Sequence, residues 1–172
     1  MVRLNAGVGY IDRQGSLVIP PIAGWGHQFS EGLALIRNDE KYFYIDTRGR
    51  IAVKPVDNIY RAWDFSHGLA RVNIGGGHGG SECDEIFGGK WGFIDKQGKM
   101  VIDPQFDAVR PFANGLAVVR IGDDKTGKWG FIDPQGKFVI NPQFDDAGSF
   151  SGGLAAVYTG DRETGKWGYI SR

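Results

Sequence analysis

The sequence lacks several features that define common classes of protein. It has a single cysteine, Cys83, so it forms no internal disulfide and is not a secreted disulfide scaffold. No run approaches the ~18 apolar residues that cross a membrane, and residues 1–7 contain no apolar signal-peptide core. The 20 Lys and Arg residues balance the 20 Asp and Glu residues. Because no net charge attracts nucleic acid or an anionic membrane, we expect a cytoplasmic protein that neither binds nucleic acid nor inserts into a membrane.

Helical periodicity is also missing, since no segment places its apolar residues on one face of a helix with about 3.6 residues per turn. Glycine, by contrast, is abundant, with 28 of 172 residues, which is more than twice the usual ~7%. Hydrophobic residues account for 41% of the chain, an ordinary fraction for a folded domain. Together these features predict an all-β protein with many turns.

Two phrases alternate along the chain. One is Lys-Trp-Gly-Phe-Ile-Asp, which is complete at residues 90–95 and 128–133 and varied elsewhere. The other is Phe-x-x-Gly-Leu-Ala, which starts at Phe29, Phe65, Phe112 and Phe150. In the C-terminal half, equivalent aromatic residues lie 38 residues apart, at Phe93, Phe131 and Tyr169. A period of this length is typical of solenoids, propellers and other repeat arrays.

Each copy predicts a short series of antiparallel strands. Asp95 and Gly98 have the chemistry of a tight turn, which makes the phrase before them the first strand of a hairpin. Residues 116–119 are apolar on both faces, so neighbouring repeats are expected to cover them from both sides. We predict one domain over residues 1–172, with about four repeats and a terminal half-repeat at residues 166–172. The repeats are expected to form a propeller-like ring of four blades with four strands each. An open β-solenoid array is the alternative, because one predicted strand remains after four such blades are complete, and an open array accepts an extra strand at its end.

Trp-Gly pairs begin at Trp91, Trp129 and Trp167, each within the first phrase. With the Gly-Leu-Ala phrase between them, the chain resembles the bacterial WG-repeat (KWG-repeat) family over nearly its whole length. The resemblance implies a tandem β-repeat protein and supplies no catalytic residues. Two copies depart from the pattern, with Val8-Gly9 and Tyr42-Phe43 in place of Trp-Gly.

The longest departure from the repeat is an inserted glycine-rich loop at residues 75–89. It gathers residue types that bind metals, namely His78, Glu82, Cys83, Asp84 and Glu85. A zinc site needs pairs of Cys or His ligands, whereas this loop has one of each. The acidic neighbours also disfavour the reactive thiolate form of Cys83. We therefore predict a mobile polar loop with no metal and no cofactor.

No set of residues predicts an enzyme. The glycine run at residues 75–80 is followed by no helix, so it is not a nucleotide-binding loop. Serine recurs at one repeat position, at Ser30, Ser66 and Ser151, which indicates a role in a turn rather than a nucleophile. A catalytic residue should occur once, whereas nearly every polar residue here belongs to the repeat. We therefore predict no enzymatic activity.

Two repeat positions, two and four residues before the phenylalanine of the second phrase, differ from copy to copy while their neighbours stay constant. Their aromatic and basic members are Trp25, His27, Arg61, Trp63 and Arg110. Residues two apart on a strand share a face, so these five side chains are predicted to form a binding surface of the residue types that dominate interfaces. The alternative is that Trp25 and Trp63 fill core space left by the tryptophans missing from the first two copies.

These features predict a non-catalytic scaffold that binds a protein partner, for example as an adaptor or a toxin-neutralising protein. The alternative function is recognition of a carbohydrate or another cell-envelope ligand on the aromatic surface. A third hypothesis, an enzyme or metal protein centred on residues 75–89, rests only on the composition of the inserted loop.

Overall fold

The computed structural model describes residues 1–39, 41–54, 58–78, 86–161 and 163–172. In these residues the chain contains eighteen β-strands and no α-helix. The strands form five antiparallel sheets that follow one another along the chain. The predicted all-β fold of tandem antiparallel repeats is therefore confirmed. Within the described residues there is no helix long and apolar enough to span a membrane.

Each sheet is a meander in which a strand pairs with the strands before and after it in the sequence. Sheet 1 contains β1 (Val2–Leu4), β2 (Gly7–Ile11) and β3 (Leu17–Ile22). Sheet 2 contains β4 (Trp25–Gly26), β5 (Leu33–Asn38), β6 (Lys41–Asp46) and β7 (Ile51–Val53). Sheet 3 contains β8 (Ile59–Ala62), β9 (Leu69–His78), β10 (Ile86–Asp95) and β11 (Met100–Phe106). Sheet 4 contains β12 (Ala108–Val109), β13 (Ala117–Ile121), β14 (Lys128–Ile132) and β15 (Phe138–Phe144). Sheet 5 contains β16 (Asp146–Ala147), β17 (Leu154–Thr159) and β18 (Lys166–Ser171).

The strands of the four-stranded sheets are called A, B, C and D in chain order, and the first phrase forms the C strand. Sheet 1 lacks an A strand, and sheet 5 lacks a D strand among the described residues. Residues 166–172, predicted as a terminal half-repeat, contain the C strand of sheet 5, which also has an A and a B strand.

The second phrase forms the tight turn that leads into each B strand. In the copy at residues 30–33, the backbones of Ser30 and Leu33 exchange two hydrogen bonds, and the residues between them, Glu31 and Gly32, have φ angles of 51° and 84°. Two positive φ angles at the centre of a two-residue turn are the mark of a type I′ hairpin, in which glycine is favoured. This geometry explains why Gly-Leu recurs in every copy.

The glycine of Trp-Gly makes room for a bulge in the neighbouring D strand. Trp129 and Phe131 pair with residues of β15 that are four apart, so three residues of β15 lie opposite Gly130. A Cβ atom on Gly130 would lie 2.6 Å from Ile140 O and 2.7 Å from Pro142 N, closer than real side chains approach a backbone. Pro142 thus lies inside a strand, at a bulge where a proline is tolerated.

Neighbouring sheets pack face to face. We call the face of a sheet that is directed toward the next sheet in the chain its forward face, and the opposite face its back face. Between sheets 4 and 5 the forward face contributes Leu116, Val118 and Phe131, and the back face contributes Phe150 and Val157. These five side chains are at most 5% exposed. Because the other face of the same B strand packs on sheet 3, this strand is covered from both sides, as its sequence predicts.

Side-chain hydrogen bonds at the type I′ turns join successive sheets. Ser30 Oγ donates to Phe65 O at 2.7 Å, and Ser66 Oγ donates to Phe112 O at 2.8 Å. In the next copy the amide of Asn114 makes the equivalent bond, at 2.6 Å, to the phenylalanine carbonyl of sheet 5. The recurring serine is therefore structural, which agrees with the predicted role in a turn.

The five sheets form an open array. On the forward face of sheet 5, Trp167 is 60% exposed and Tyr169 is 75% exposed, whereas the equivalent Phe131 of sheet 4 is fully buried. Closing the array into a ring would require another sheet to cover this face. The described residues contain no such closure, so the open array describes the fold and the propeller-like ring does not.

The loop predicted at residues 75–89 lies partly in strands. β9 and β10 extend into it, and His78 pairs with Ile86 at the outermost described position. Most of the predicted metal-capable residues fall at residues 79–85, outside the described residues. In the part of the chain that the structure describes, no three His, Cys, Asp or Glu residues are grouped as metal ligands are.

Candidate binding surface

The five predicted site residues lie beside the short A strands of sheets 2, 3 and 4. Trp25 belongs to β4 and Arg61 to β8. His27, Trp63 and Arg110 come directly after an A strand, and their N–H groups donate to carbonyls of the adjoining B strands. This backbone pairing fixes the position along the B strand from which each side chain projects.

Four of the five residues meet around one hollow of about 260 Å³. Its lining residues are Trp25, His27, Arg37, Tyr42, Arg61, Ala62 and Trp63. The ring centroid of His27 lies 4.5 Å from that of Trp25 and 6.1 Å from that of Trp63. Trp25 is 45% exposed and so does not fill core space as the alternative predicts, whereas Trp63 is half-buried. The hollow is a surface feature with aromatic walls.

Contacts from two other sheets fix the backbone and ring of His27. Its Nδ1 atom lies 2.7 Å from Asp64 Oδ1 of sheet 3, and its carbonyl accepts a hydrogen bond from Tyr10 Oη of sheet 1 at 2.7 Å. The carbonyl of Trp63 accepts a bond from Tyr44 Oη in the same way, at 2.6 Å. Since Tyr10 and Tyr44 are buried, these hydrogen bonds join the backbone of the candidate surface directly to the core.

Two arginines contact the ring of Trp63. The guanidinium carbon of Arg61 lies 5.3 Å from the ring centroid and that of Arg71 lies 4.7 Å from it, both within the range of a cation–π interaction. Arg71 Nη1 also donates to Val109 O at 3.0 Å. Arg71 therefore connects the hollow on sheets 2 and 3 to sheet 4.

Arg110 extends the surface onto sheet 4 and does not line the hollow. Together with Arg120 it contacts the ring of Trp129, at 5.2 and 5.6 Å from the centroid. Its Nη2 atom lies 2.9 Å from Asp146 Oδ1. The structure thus places the fifth predicted residue in a second cluster, where two arginines again contact one tryptophan.

Burial lowers the pKa of Arg71, because partial dehydration disfavours the charged guanidinium. The carboxylate of Asp64 opposes this effect, and the positive charges of Arg110 and Arg61 add to it. A dehydrated cation with other cations nearby attracts an anion more strongly than a cation in open water does.

The two clusters and the residues between them are called the arginine–tryptophan surface. It consists of Trp25, His27, Arg37, Tyr42, Arg61, Trp63, Arg71, Arg110, Arg120 and Trp129. Guanidinium groups recognise carboxylates and phosphates through paired hydrogen bonds, and the aromatic faces accept planar or apolar groups. This arrangement is suited to the recognition of anionic, planar or apolar groups.

A family model described as WG containing repeat matches this chain four times, at residues 9–42, 42–77, 91–125 and 129–167. The chain belongs to the WG-repeat family. A comparison with curated proteins gave no match, and a comparison with solved structures gave none either. The outer ends of β9 and β10 fall between the second and third matched WG repeats, so the extended hairpin is an addition to the family pattern.

One residue of the surface could have been found by comparing the WG repeats with one another. Arg71 occupies a B-strand position that holds Leu35, Val118 and Ala156 in the other copies. Those three side chains lie on forward faces, and Leu35 and Val118 are buried. A charged residue at a repeat position that is otherwise apolar indicates a role outside the core. The two variable positions considered in the sequence lie before the phenylalanine of the second phrase, so they do not include Arg71.

Arg37 and Arg120 share a different B-strand position of the WG repeat. Each is the cross-strand partner of the residue at the Trp position, Tyr42 and Trp129 respectively. Arg37 lies 5.6 Å from the Tyr42 centroid, which resembles the contact between Arg120 and Trp129. Finding these pairs required the strand register, which spacing alone does not supply.

Proposed function

We propose that this WG-repeat protein is a non-catalytic scaffold that binds a protein partner through the arginine–tryptophan surface. The observation that carries the proposal is the convergence of side chains that differ between repeats. Trp25, His27 and Trp63 surround one hollow, whereas the residues that join the sheets, such as Ser30 and Ser66, recur. Since folding uses the recurring residues, the variable ones are free to serve recognition. Tryptophan and arginine are also the residue types that dominate binding energy at interfaces.

An adaptor or a toxin-neutralising role suits such a scaffold, because both require a rigid surface and no chemistry. We also propose a cytoplasmic setting, which agrees with the single cysteine of the chain, and a bacterial origin, which rests only on the resemblance to the family. The absence of net charge favours recognition through a local patch over recognition through the field of the whole molecule.

The test is capture of a stoichiometric partner by the immobilised protein, followed by calorimetry with the purified partner. Trp25→Ala and Arg110→Ala are expected to weaken binding at least tenfold. Trp167→Ala and Arg50→Ala are matched controls, because Trp167 is 60% exposed on sheet 5 and the Arg50 side chain is 68% exposed on a turn of sheet 2. The controls are expected to bind within twofold of the unchanged protein.

Equal affinity of all four variants would exclude the arginine–tryptophan surface as the binding site. Binding to purified oligosaccharides that is lost in Trp25→Ala, with no protein partner captured, would support carbohydrate recognition instead. Far-ultraviolet circular dichroism on each variant confirms that a loss of binding is not a loss of fold.

A further inference from the structure

The arginine–tryptophan surface concentrates positive charge in a chain that has no net charge. Its arginines are Arg37, Arg61, Arg71, Arg110 and Arg120. Two described carboxylates form ion pairs with it, Asp64 through His27 and Asp146 through Arg110. At the sheet 4 end, Asp124, Asp145 and Asp161 line the same hollow as Arg110, Arg120 and Trp129, together with Lys125 and Lys128. Among the described residues, the excess of positive charge lies on sheets 2 and 3, where Arg37, Arg61 and Arg71 accompany the carboxylate of Asp64.

Three of the arginines are available to an incoming anion. Arg37, Arg71 and Arg120 form no ion pair with any carboxylate in the described part of the chain. Each is instead stacked on an aromatic ring and half-buried. A half-buried guanidinium held by a ring loses little side-chain freedom when it binds a carboxylate, and reduced access of water strengthens the attraction.

We propose that the partner presents an acidic, extended segment to this surface. Its carboxylates bind the guanidinium groups of Arg37, Arg71 and Arg120, and its apolar side chains lie in the hollow against Trp25 and Trp63. The inference rests on the proposed function and names the chemistry of the partner.

The position of the arginines sets the length of the segment. Arg37 belongs to sheet 2, Arg71 to sheet 3 and Arg120 to sheet 4. Stacked sheets pack about 10 Å apart, so the three guanidinium groups span about 20 Å, the length of roughly six extended residues. A single carboxylate or a compact acidic loop cannot reach all three.

The carboxylates within the surface favour an acidic peptide over a nucleic acid. A nucleic-acid backbone carries a phosphate at every nucleotide. Asp64 and Asp146 interrupt the row of arginines, Asp124, Asp145 and Asp161 lie at its sheet 4 end, and all of them would repel such a continuous line of charge. A peptide can place neutral residues opposite these positions and carboxylates opposite the arginines.

The test uses fluorescence anisotropy with the full chain and a fluorescein-labelled peptide of twelve residues. In this peptide every second residue is Glu, and the residues between them are Leu or Tyr. Two control probes are the same peptide with Gln in place of every Glu, and an oligothymidylate of twelve nucleotides. The Glu peptide is expected to bind at least tenfold more tightly than either control, and its affinity is expected to fall as salt increases.

Variants locate the binding. Arg37→Gln and Arg120→Gln should each weaken binding of the Glu peptide at least threefold. Arg50→Gln is the matched control, since Arg50 lies on a turn away from the surface and pairs with Asp46, and it should leave the affinity unchanged. The melting temperature of each variant shows that the fold is retained.

Equal binding of the Gln and Glu peptides, no binding of the Glu peptide, or tighter binding of oligothymidylate would each overturn the acidic-segment proposal. The Glu peptide should also displace the captured partner. A partner that needs Trp25 and Arg110 but is not displaced would overturn the acidic chemistry and leave the scaffold function standing. Failure of the scaffold function gives a different result, because capture of the partner is then unaffected by every substitution in the arginine–tryptophan surface.

Discussion

Two tyrosine hydroxyls fix the position of the backbone in the arginine–tryptophan surface. Tyr10 Oη donates to His27 O and Tyr44 Oη donates to Trp63 O, each from the sheet before. Burial raises the pKa of Tyr10 to about 12, and the nearby charge of Asp64 acts in the same direction. The Tyr10 hydroxyl therefore still donates its hydrogen bond at the alkaline pH, about 10, where an exposed tyrosine ionises.

Tyr44→Phe removes one of these donors and little else. We expect the free energy of unfolding to fall by about 1 kcal/mol, because the partly buried carbonyl of Trp63 loses its hydrogen-bond partner. Tyr169→Phe is the matched control and should have no effect, since Tyr169 is 75% exposed. Urea denaturation of both variants measures the difference, and equal stability would show that the Trp63 carbonyl does not need the bond.

Glu31 joins the turns of sheets 2 and 3. Its carboxylate accepts hydrogen bonds from His67 N at 2.6 Å and Gly68 N at 2.9 Å, and Lys96 Nζ lies 3.2 Å away. Burial alone would raise the pKa of Glu31, but the bonds from Gly68, Lys96 and His67 outweigh it and lower the pKa. The folded protein thus holds this carboxyl ionised at a pH where the unfolded chain protonates it.

A lowered carboxyl pKa stabilises the fold above the unfolded pKa, and that stability is lost as the pH falls through the folded value. We expect Glu31→Gln to reduce stability by about 1 kcal/mol at neutral pH and to flatten the decline in stability on acidification from about pH 5. Glu163→Gln, at an exposed glutamate on a turn of sheet 5, is the control. Parallel acid-unfolding curves for Glu31→Gln and the unchanged protein would contradict this account.

At the scale of the strand, the glycine of Trp-Gly can be tested with a control supplied by the chain itself. A Cβ on Gly130 would strike the backbone of β15, whereas a Cβ on Gly168 of sheet 5 would meet nothing within 4 Å. Gly130→Ala is therefore expected to cost roughly 1–3 kcal/mol through overpacking, and Gly168→Ala should cost less than about 0.5 kcal/mol. Thermal unfolding distinguishes the two, and equal costs would show that the bulge of β15 is not the reason for the glycine.

The sequence predicts those elements whose chemistry is local and repeated. The turn after each C strand is one example, since Asp46 Oδ1 accepts the N–H groups of Arg48 and Arg50 at 2.9 and 3.0 Å. β1 could not be predicted, because Val2–Leu4 carries neither phrase and becomes a strand only by pairing with β2. The extension of β9 and β10 was missed for a similar reason, since glycine-rich residues take their strand conformation from their partner strand.

The candidate surface divides in the same way. Trp25, His27, Arg61 and Trp63 were predicted together because two-residue spacing places them on one face. Arg71 was missed because it lies on another strand, opposite Trp63, whose N–H donates to the Arg71 carbonyl at 3.2 Å. Contacts between strands depend on which residues are paired across them. Aligning the repeats with one another does not show this pairing.

For the whole molecule, the open array predicts a gradient of stability. A sheet in the middle has neighbours on both faces, whereas the forward face of sheet 5 is exposed, and repeat arrays are stabilised by nearest-neighbour contacts. Amides of β18 (Lys166–Ser171) should exchange with deuterium at least tenfold faster than those of β14 (Lys128–Ile132). Uniform protection across both strands would indicate a single cooperative unit, as a closed ring would give.

The joints between sheets have a consequence for how such a chain can change its length. Lys90 pairs with Asp107, and Lys128 pairs with Asp145 one period later. A segment running from Asp107 to Phe144 thus begins and ends at equivalent points of the array, so a tandem duplication of these residues would meet, at both of its ends, the contacts it already makes. The array can therefore gain a sheet by duplication of one stretch of the gene, and the new copy can then diverge at the positions that already vary between repeats.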